Sequence, residues 1–133
     1  MSQENVEAAR RSISDFNRRD ISAFLEPVDP EVEWRPLGAA LEGRVYHGHD
    51  GVRQWFEDLA ADWEVFEVSV EEIRDLGNRV LSLGHWRAKG RGSGVALQYQ
   101  PSAWLSEFKD GKCVRFQTYT DRAEALEAAG LSE

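Results

Sequence analysis

Gly43-Arg-Val-Tyr-His-Gly-His-Asp-Gly-Val-Arg-Gln-Trp-Phe56 is the stretch whose reading decides the architecture. Gly48 and Gly51 ease a sharp turn, and Asp50 between them can accept from the first backbone N–H groups of a new helix. Val52, Trp55, Phe56, Leu59, Ala60 and Trp63 then recur at helical spacing, which predicts an amphipathic helix walling a core. Just upstream, Val32, Trp34 and Pro36 alternate with Glu31, Glu33 and Arg35, the pattern of a short edge strand. Downstream the period changes from helical to twofold.

Working towards the N-terminus, Val6, Ala9, Ile13 and Phe16 predict a helix over 3–18 with one apolar stripe. Asp20 can cap a second short helix carrying Ile21, Phe24 and Leu25, which Pro27 ends. Towards the C-terminus, Phe66, Val68 and Val70 alternate with polar residues, and Leu76-Gly-Asn-Arg79 supplies a turn. Val80–Ala88 reads as a second strand, Gly90–Gly94 as a flexible connection, and Val95–Phe108 as a long third strand bent near Pro101. Asp110-Gly111 is a tight hairpin turn into a fourth strand, Lys112–Thr120. Asp121 and Glu124 have capping-box spacing and open a final helix ended by Gly130. The predicted order is α-α-β-α-β-β-β-β-α. The fold class is α+β, a cone in which a curved antiparallel sheet is covered by three helices from the N-terminal half, with a short C-terminal helix. Residues 1–133 form a single domain with a cavity between helices and sheet.

Composition bounds the function. The chain has 41% hydrophobic and 30% charged residues, as a globular protein does. Five Trp, six Phe and three Tyr are a large stock for 133 residues and suit a cavity with aromatic walls. The net charge of −8 speaks against nucleic acid or an anionic membrane as partner, since both require clustered Lys and Arg. A single cysteine, Cys113, allows no internal disulfide and fits a reducing compartment. There is no apolar run of signal-peptide or membrane-span type, so the expected location is cytoplasmic.

The opening helix, Glu33-Trp34-Arg35-Pro36, Tyr46-His-Gly-His-Asp-Gly-Val-Arg53, Lys109-Asp-Gly-Lys112 and Tyr119-Thr-Asp121 together resemble the SnoaL-like branch of the NTF2-like superfamily. Their order and spacing are specific for the fold and not for an activity. That superfamily includes polyketide cyclases, ketosteroid isomerases, epoxide hydrolases, dehydratases and non-enzymatic binding proteins. The resemblance implies a homodimer formed through the convex sheet face and a pocket inside the cone.

Cyclases and isomerases of this kind need a carboxylate base in an apolar pocket, where burial raises its pKa towards the working range. The resemblance places that acid on the third strand, seven residues before the hairpin glycine. This chain has Trp104 there, and an indole cannot act as the base. Epoxide hydrolases of the superfamily use two aspartates bridged by an arginine. The late strands offer only Gln98, Gln100, Trp104, Arg115, Gln117 and Tyr119 before Asp121, whose position marks it as a helix cap.

His47, His49 and His85 lack the further ligands of a recognised metal spacing, so neither metal nor cofactor is expected. On the second strand, Ser82, Gly84 and Trp86 share one face and Leu83, His85 and Arg87 the other. Which face lines the cavity is left open: an inward Trp86 makes it apolar, an inward His85 makes it polar. The pocket candidates are Trp34, Tyr46, His85, Gln98, Gln100, Trp104 and Tyr119. The expected partner is a small, largely apolar molecule, possession of an enzyme activity being undecided. The alternative is a binding or scaffold module whose cavity Trp104 and Trp86 fill.

Overall fold

A computed structural model describes residues 2–131 of the chain. Five helices and six strands follow in the order α1 (Ser2–Asn17), α2 (Ile21–Leu25), β1 (Val28–Arg35), α3 (Leu37–Glu42), β2 (Tyr46–His47), α4 (Gly48–Asp62), β3 (Trp63–Asp75), β4 (Arg79–Gly90), β5 (Ala96–Lys109), β6 (Lys112–Tyr119) and α5 (Arg122–Ala128). The strands form one sheet in the order β2-β1-β6-β5-β4-β3. Its β3–β6 part is antiparallel, whereas β1 runs parallel to β6.

Register irregularities bend the sheet. They fall between Val70 and Glu72 on β3, between Trp86 and Ala88 on β4, and between Glu107 and Phe108 on β5. Each inserts a residue on one side of the ladder and increases the local twist. The bend expected at Pro101 lies at Tyr99, whose φ of 45° is that of a bulge residue. Gly84 sits opposite the β3 irregularity, where a Cβ would lie 2.0 Å from the Ser69 carbonyl oxygen. The strands therefore meet there only without a side chain.

Four helices stand on the concave face. Phe16 of α1 stacks on Trp55 of α4 with centroids 5.2 Å apart, and Phe24 of α2 meets Phe56 edge-on at 5.2 Å. Val32, Val52 and Val80, all less than 2% exposed, close the bottom of this core. Asn17 fastens α1 to the free edge of β3. Its side-chain amide donates to the Val68 carbonyl at 2.9 Å and its carbonyl accepts from the Val68 N–H at 3.0 Å. One amide side chain thus takes the place of a neighbouring strand. On the other face, Ala125 and Leu126 of α5 and Ala129 at its C-cap lie over Leu81, Leu83 and Ala103.

Three local expectations change. β1 is not an edge strand, because Tyr46–His47 pairs with its Glu33–Trp34 end. A short helix, α3, follows Pro36 in a stretch to which the sequence pattern assigns no element; six residues are too few to show a helical period. α4 begins at Gly48 with His47 at the cap position, and Asp50 lies in the first turn, ion-paired with Arg53 at 3.3 Å. Gly48 has φ 71° and faces the Pro30 carbonyl, 2.8 Å from where a Cβ would be, so this turn is a glycine site. Asp20 and Asp121 do cap, accepting from Ala23 N at 3.2 Å and Ala123 N at 2.8 Å.

Candidate functional site

The helices do not fill the concave face of the sheet. Between them lies a hollow of about 490 Å³. Strand alternation sets its floor: Trp34 on β1, Phe116 and Thr118 on β6, Ser102, Trp104 and Ser106 on β5, and Ser82 and Trp86 on β4 all point inward. Phe66 and Val68 continue the wall on β3, and Ala9, Ile13, Phe16, Phe24, Trp55 and Leu59 come from the helices. Rings fix one another here. Trp34 stacks on Phe116 at 4.0 Å and Phe66 on Trp86 at 5.0 Å, both nearly parallel.

Of the residues singled out from the sequence, the structure brings Trp34, Tyr46 and Trp104 together on this hollow. Trp104 and Trp86 wall it without closing it. Trp86 rather than His85 faces inward, which selects the apolar of the two alternatives for β4. His85 points to the convex face, where its ring stacks on Tyr99 at 4.1 Å and its Nδ1 lies 3.7 Å from the Glu71 carboxylate. Gln98 and Gln100 do not border the hollow. The bulge at Tyr99 takes Gln98 out of alternation with Trp104, whereas Gln100 keeps its place opposite Trp86 at the end of the face and turns its amide along its own strand, donating to the Gln98 carbonyl at 3.0 Å. Tyr119 packs outward under α5, because its neighbour Thr118 takes the inward position.

The lip carries most of the charge. Tyr46 donates its hydroxyl to Asp58 of α4 at 2.6 Å, and the Gln54 amide donates to the other carboxylate oxygen at 2.9 Å. These bonds hold the Asp58 carboxyl below its ordinary range, the Tyr46 bond contributing most. Burial and then the Asp58 bond push the Tyr46 hydroxyl above its ordinary value. At neutral pH the pair is therefore carboxylate and phenol. Arg44 beside them is bonded to Glu42, with one nitrogen at 2.7 Å, and lies over the Tyr46 ring at 5.7 Å. Asp58 was missed in the sequence. The signal was present: it lies three residues after Trp55 and four before Asp62, on the helix edge that faces the hollow.

Polar atoms are sparse deeper in. Ser102 donates to the Tyr119 carbonyl at 3.3 Å. Trp34 Nε1 and Thr118 Oγ1 are buried with no hydrogen-bond partner. Cys113, also on the wall, has its thiol pushed up to about 12 by burial, so it is a packed, unreactive thiol at neutral pH. His49 is structural, its Nε2 lying 2.7 Å from the Val28 carbonyl at the start of β1. His47 is exposed at the helix cap. Among the described residues no three His, Cys, Asp or Glu side chains come together as a metal site would require. Among the described residues no helix is long and apolar enough to cross a membrane.

The model of the SnoaL-like domain matches residues 9–116. No curated protein matches the chain. Solved structures share the fold. An NTF2-like protein of unknown function from Burkholderia pseudomallei K96243 is 26% identical, with a TM-score of 0.79, over 93% of this chain and 95% of that one. TerC, co-crystallised with polyporic acid, is 24% identical with a TM-score of 0.77 over 96% and 98%. A SnoaL-like polyketide cyclase from Jannaschia sp. CCS1, itself so described only by likeness, is 17% identical with a TM-score of 0.75 over 99% and 95%.

Proposed function

Since the chain belongs to the SnoaL-like domain family, we propose that its hollow binds a small, largely apolar molecule with a flat ring system. The observation that carries this is the open space of about 490 Å³ walled by five tryptophans, a size typical of small-molecule sites. A cavity filled by its own side chains is disfavoured by the same space. Aromatic walls held in mutual contact give a ligand ring large apolar area at little entropic cost. No derived step requires a metal or cofactor.

The test is a thermal-shift screen of apolar aromatic ketones and lactones, with polyporic acid among the probes because a structurally similar protein holds it. A ligand present at one hundred times its dissociation constant stabilises the native state by about 2.7 kcal/mol. Ser82→Phe, which places a ring in the hollow, is expected to abolish the shift. Shifts that survive Ser82→Phe would move the site elsewhere.

A second reading is acid–base catalysis, favoured by the hydrogen bond that joins Tyr46 to Asp58 on the wall of the hollow. Asp58 would accept a proton and Tyr46 would donate to a developing oxyanion. For any substrate found, Asp58→Asn should then abolish turnover while leaving the dissociation constant within a few-fold. Unchanged turnover would leave binding alone.

The assembly proposed with this site is a pair of identical chains joined across the convex sheet face, where Tyr99 is 57% exposed. Light scattering at micromolar concentration should give twice the mass of one chain; the mass of one chain would contradict it.

A further inference from the structure

We infer that the ligand carries an uncharged oxygen acceptor that sits between the indole N–H of Trp34 and the hydroxyl of Thr118. This rests on the binding reading above and specifies it. Both residues are 4% exposed, both line the hollow, and neither Nε1 nor Oγ1 has a hydrogen-bond partner. Native interiors rarely leave such groups unmet, and each one that occurs calls for a physical reason.

Their placement is joint. Trp34 is paired with Phe116 in the β1–β6 ladder, and Thr118 follows Phe116 by two residues on the same face. Trp34 and Thr118 are therefore diagonal neighbours on one face, with Cα atoms roughly 8 Å apart from the spacing of parallel strands and the rise of two residues. They do not bond each other, since both are unpartnered. Both atoms are closed to water, so solvent does not meet them either. A ligand oxygen reaches them through a small adjustment of the wall, of which a turn of the threonine about its side-chain bond is the simplest.

The chemistry of the pair selects the group. An indole N–H can only donate, so the partner must accept. A carboxylate or phosphate is disfavoured, because the charged side chains at the lip include the Asp58 and Asp62 carboxylates and Arg44 is already bonded to Glu42. A ketone, quinone or lactone oxygen satisfies both donors without bringing charge into an aromatic pocket. The competing account is an N–H contact of Trp34 with the Phe24 ring, which stands at 80° with its centroid 5.4 Å away. Such contacts are weak, and this one leaves the Thr118 hydroxyl unexplained.

The experiment has two readouts. Thr118→Val keeps the shape and removes the hydroxyl. Without ligand it should melt about 2–4 °C above the wild type, since it removes an unmet polar group and breaks no bond. A lower melting temperature would show a native partner for the hydroxyl and overturn the inference. The second readout is titration with 9-fluorenone and fluorene, which share a skeleton and differ in the carbonyl. The ratio of their dissociation constants should move against the ketone by roughly tenfold in the Trp34→Phe/Thr118→Val variant. An unchanged ratio would overturn the inference and leave the binding reading standing. Absence of saturable binding by either probe to the wild type would overturn both.

Discussion

On β4, Ser82 and Trp86 look into the hollow, while Leu83, His85 and Arg87 look the other way. The two faces of the same strands are built from different material. The inner face carries stacked rings, a few small hydroxyl side chains and two unmet donors. The outer face carries cross-strand ion pairs, Arg87 with Glu67 and Lys89 with Glu64, and one apolar patch covered by α5. Solvated pairs of that kind contribute little stability and buried rings contribute much. The difference teaches that the helices and inner face hold the fold together and also shape the site, so the two roles are separable only by changes that keep volume.

The strongest way to break the inner side is Phe16→Ala. Phe16 is 4% exposed and contacts the rings of Phe24, Trp55, Phe56 and Phe66. Its removal should cost about 3–5 kcal/mol, measured by urea unfolding. A loss below about 1 kcal/mol would mean that the hollow collapses to refill the space.

The helix layer is attached at the sheet edge by Asn17, so Asn17→Ala should cost about 1–3 kcal/mol by leaving the Val68 backbone groups unmet. Hydrogen exchange of the Val68 amide should quicken in the same variant. If it does not, water or another side chain replaces the bond.

The lip gives a pH signature. The folded-state pKa of Asp58 is lowered, chiefly by the Tyr46 hydroxyl. Its contribution to stability is therefore complete above the ordinary carboxylate value and is lost as pH falls through the lower, folded-state value. Tyr46→Phe should be less stable than the wild type at neutral pH, with the gap narrowing below the carboxylate range. A gap that stays constant with pH would assign the loss to packing of the ring.

The outer face sharpens the comparison by doing little. Arg87→Ala, which removes the cross-strand partner of Glu67, should change stability by less than about 0.5 kcal/mol, and added salt should shrink even that. A loss above about 1 kcal/mol would mean that this pair is covered in solution, as by a second copy of the chain.

Much of this architecture is legible in the chain because period and length coincide. Val52, Phe56 and Leu59 mark α4, and Phe66 and Val68 mark β3, without help from anything distant. The misreadings have local causes. Asp50 is a good cap residue by type, yet the left-handed turn at Gly48 starts the helix three residues earlier, with His47 at the cap. Simple alternation puts Gln98 on the face of Trp104, and the bulge at Tyr99 that separates them cannot be seen in a pattern of residue types. The fourth strand offers Arg115, Gln117 and Tyr119 on one face, but it is the other face, with Phe116 and Thr118, that strand parity sends into the hollow. The face of β4 was undecidable for the same reason: alternation gives two faces, and only the position of the helices chooses between them. Asp58 is legible by helical spacing, since it lies three residues after Trp55 on the edge of α4 that faces the hollow.

The central claim is that the hollow is a binding site for an apolar molecule. Calorimetric titration of the wild-type protein with 9-fluorenone at several temperatures tests it most directly. The account predicts saturable binding of one molecule per chain with a negative heat-capacity change, the mark of apolar surface leaving water. No saturable heat up to the solubility limit of the probe, or binding that Ser82→Phe leaves intact, would contradict it.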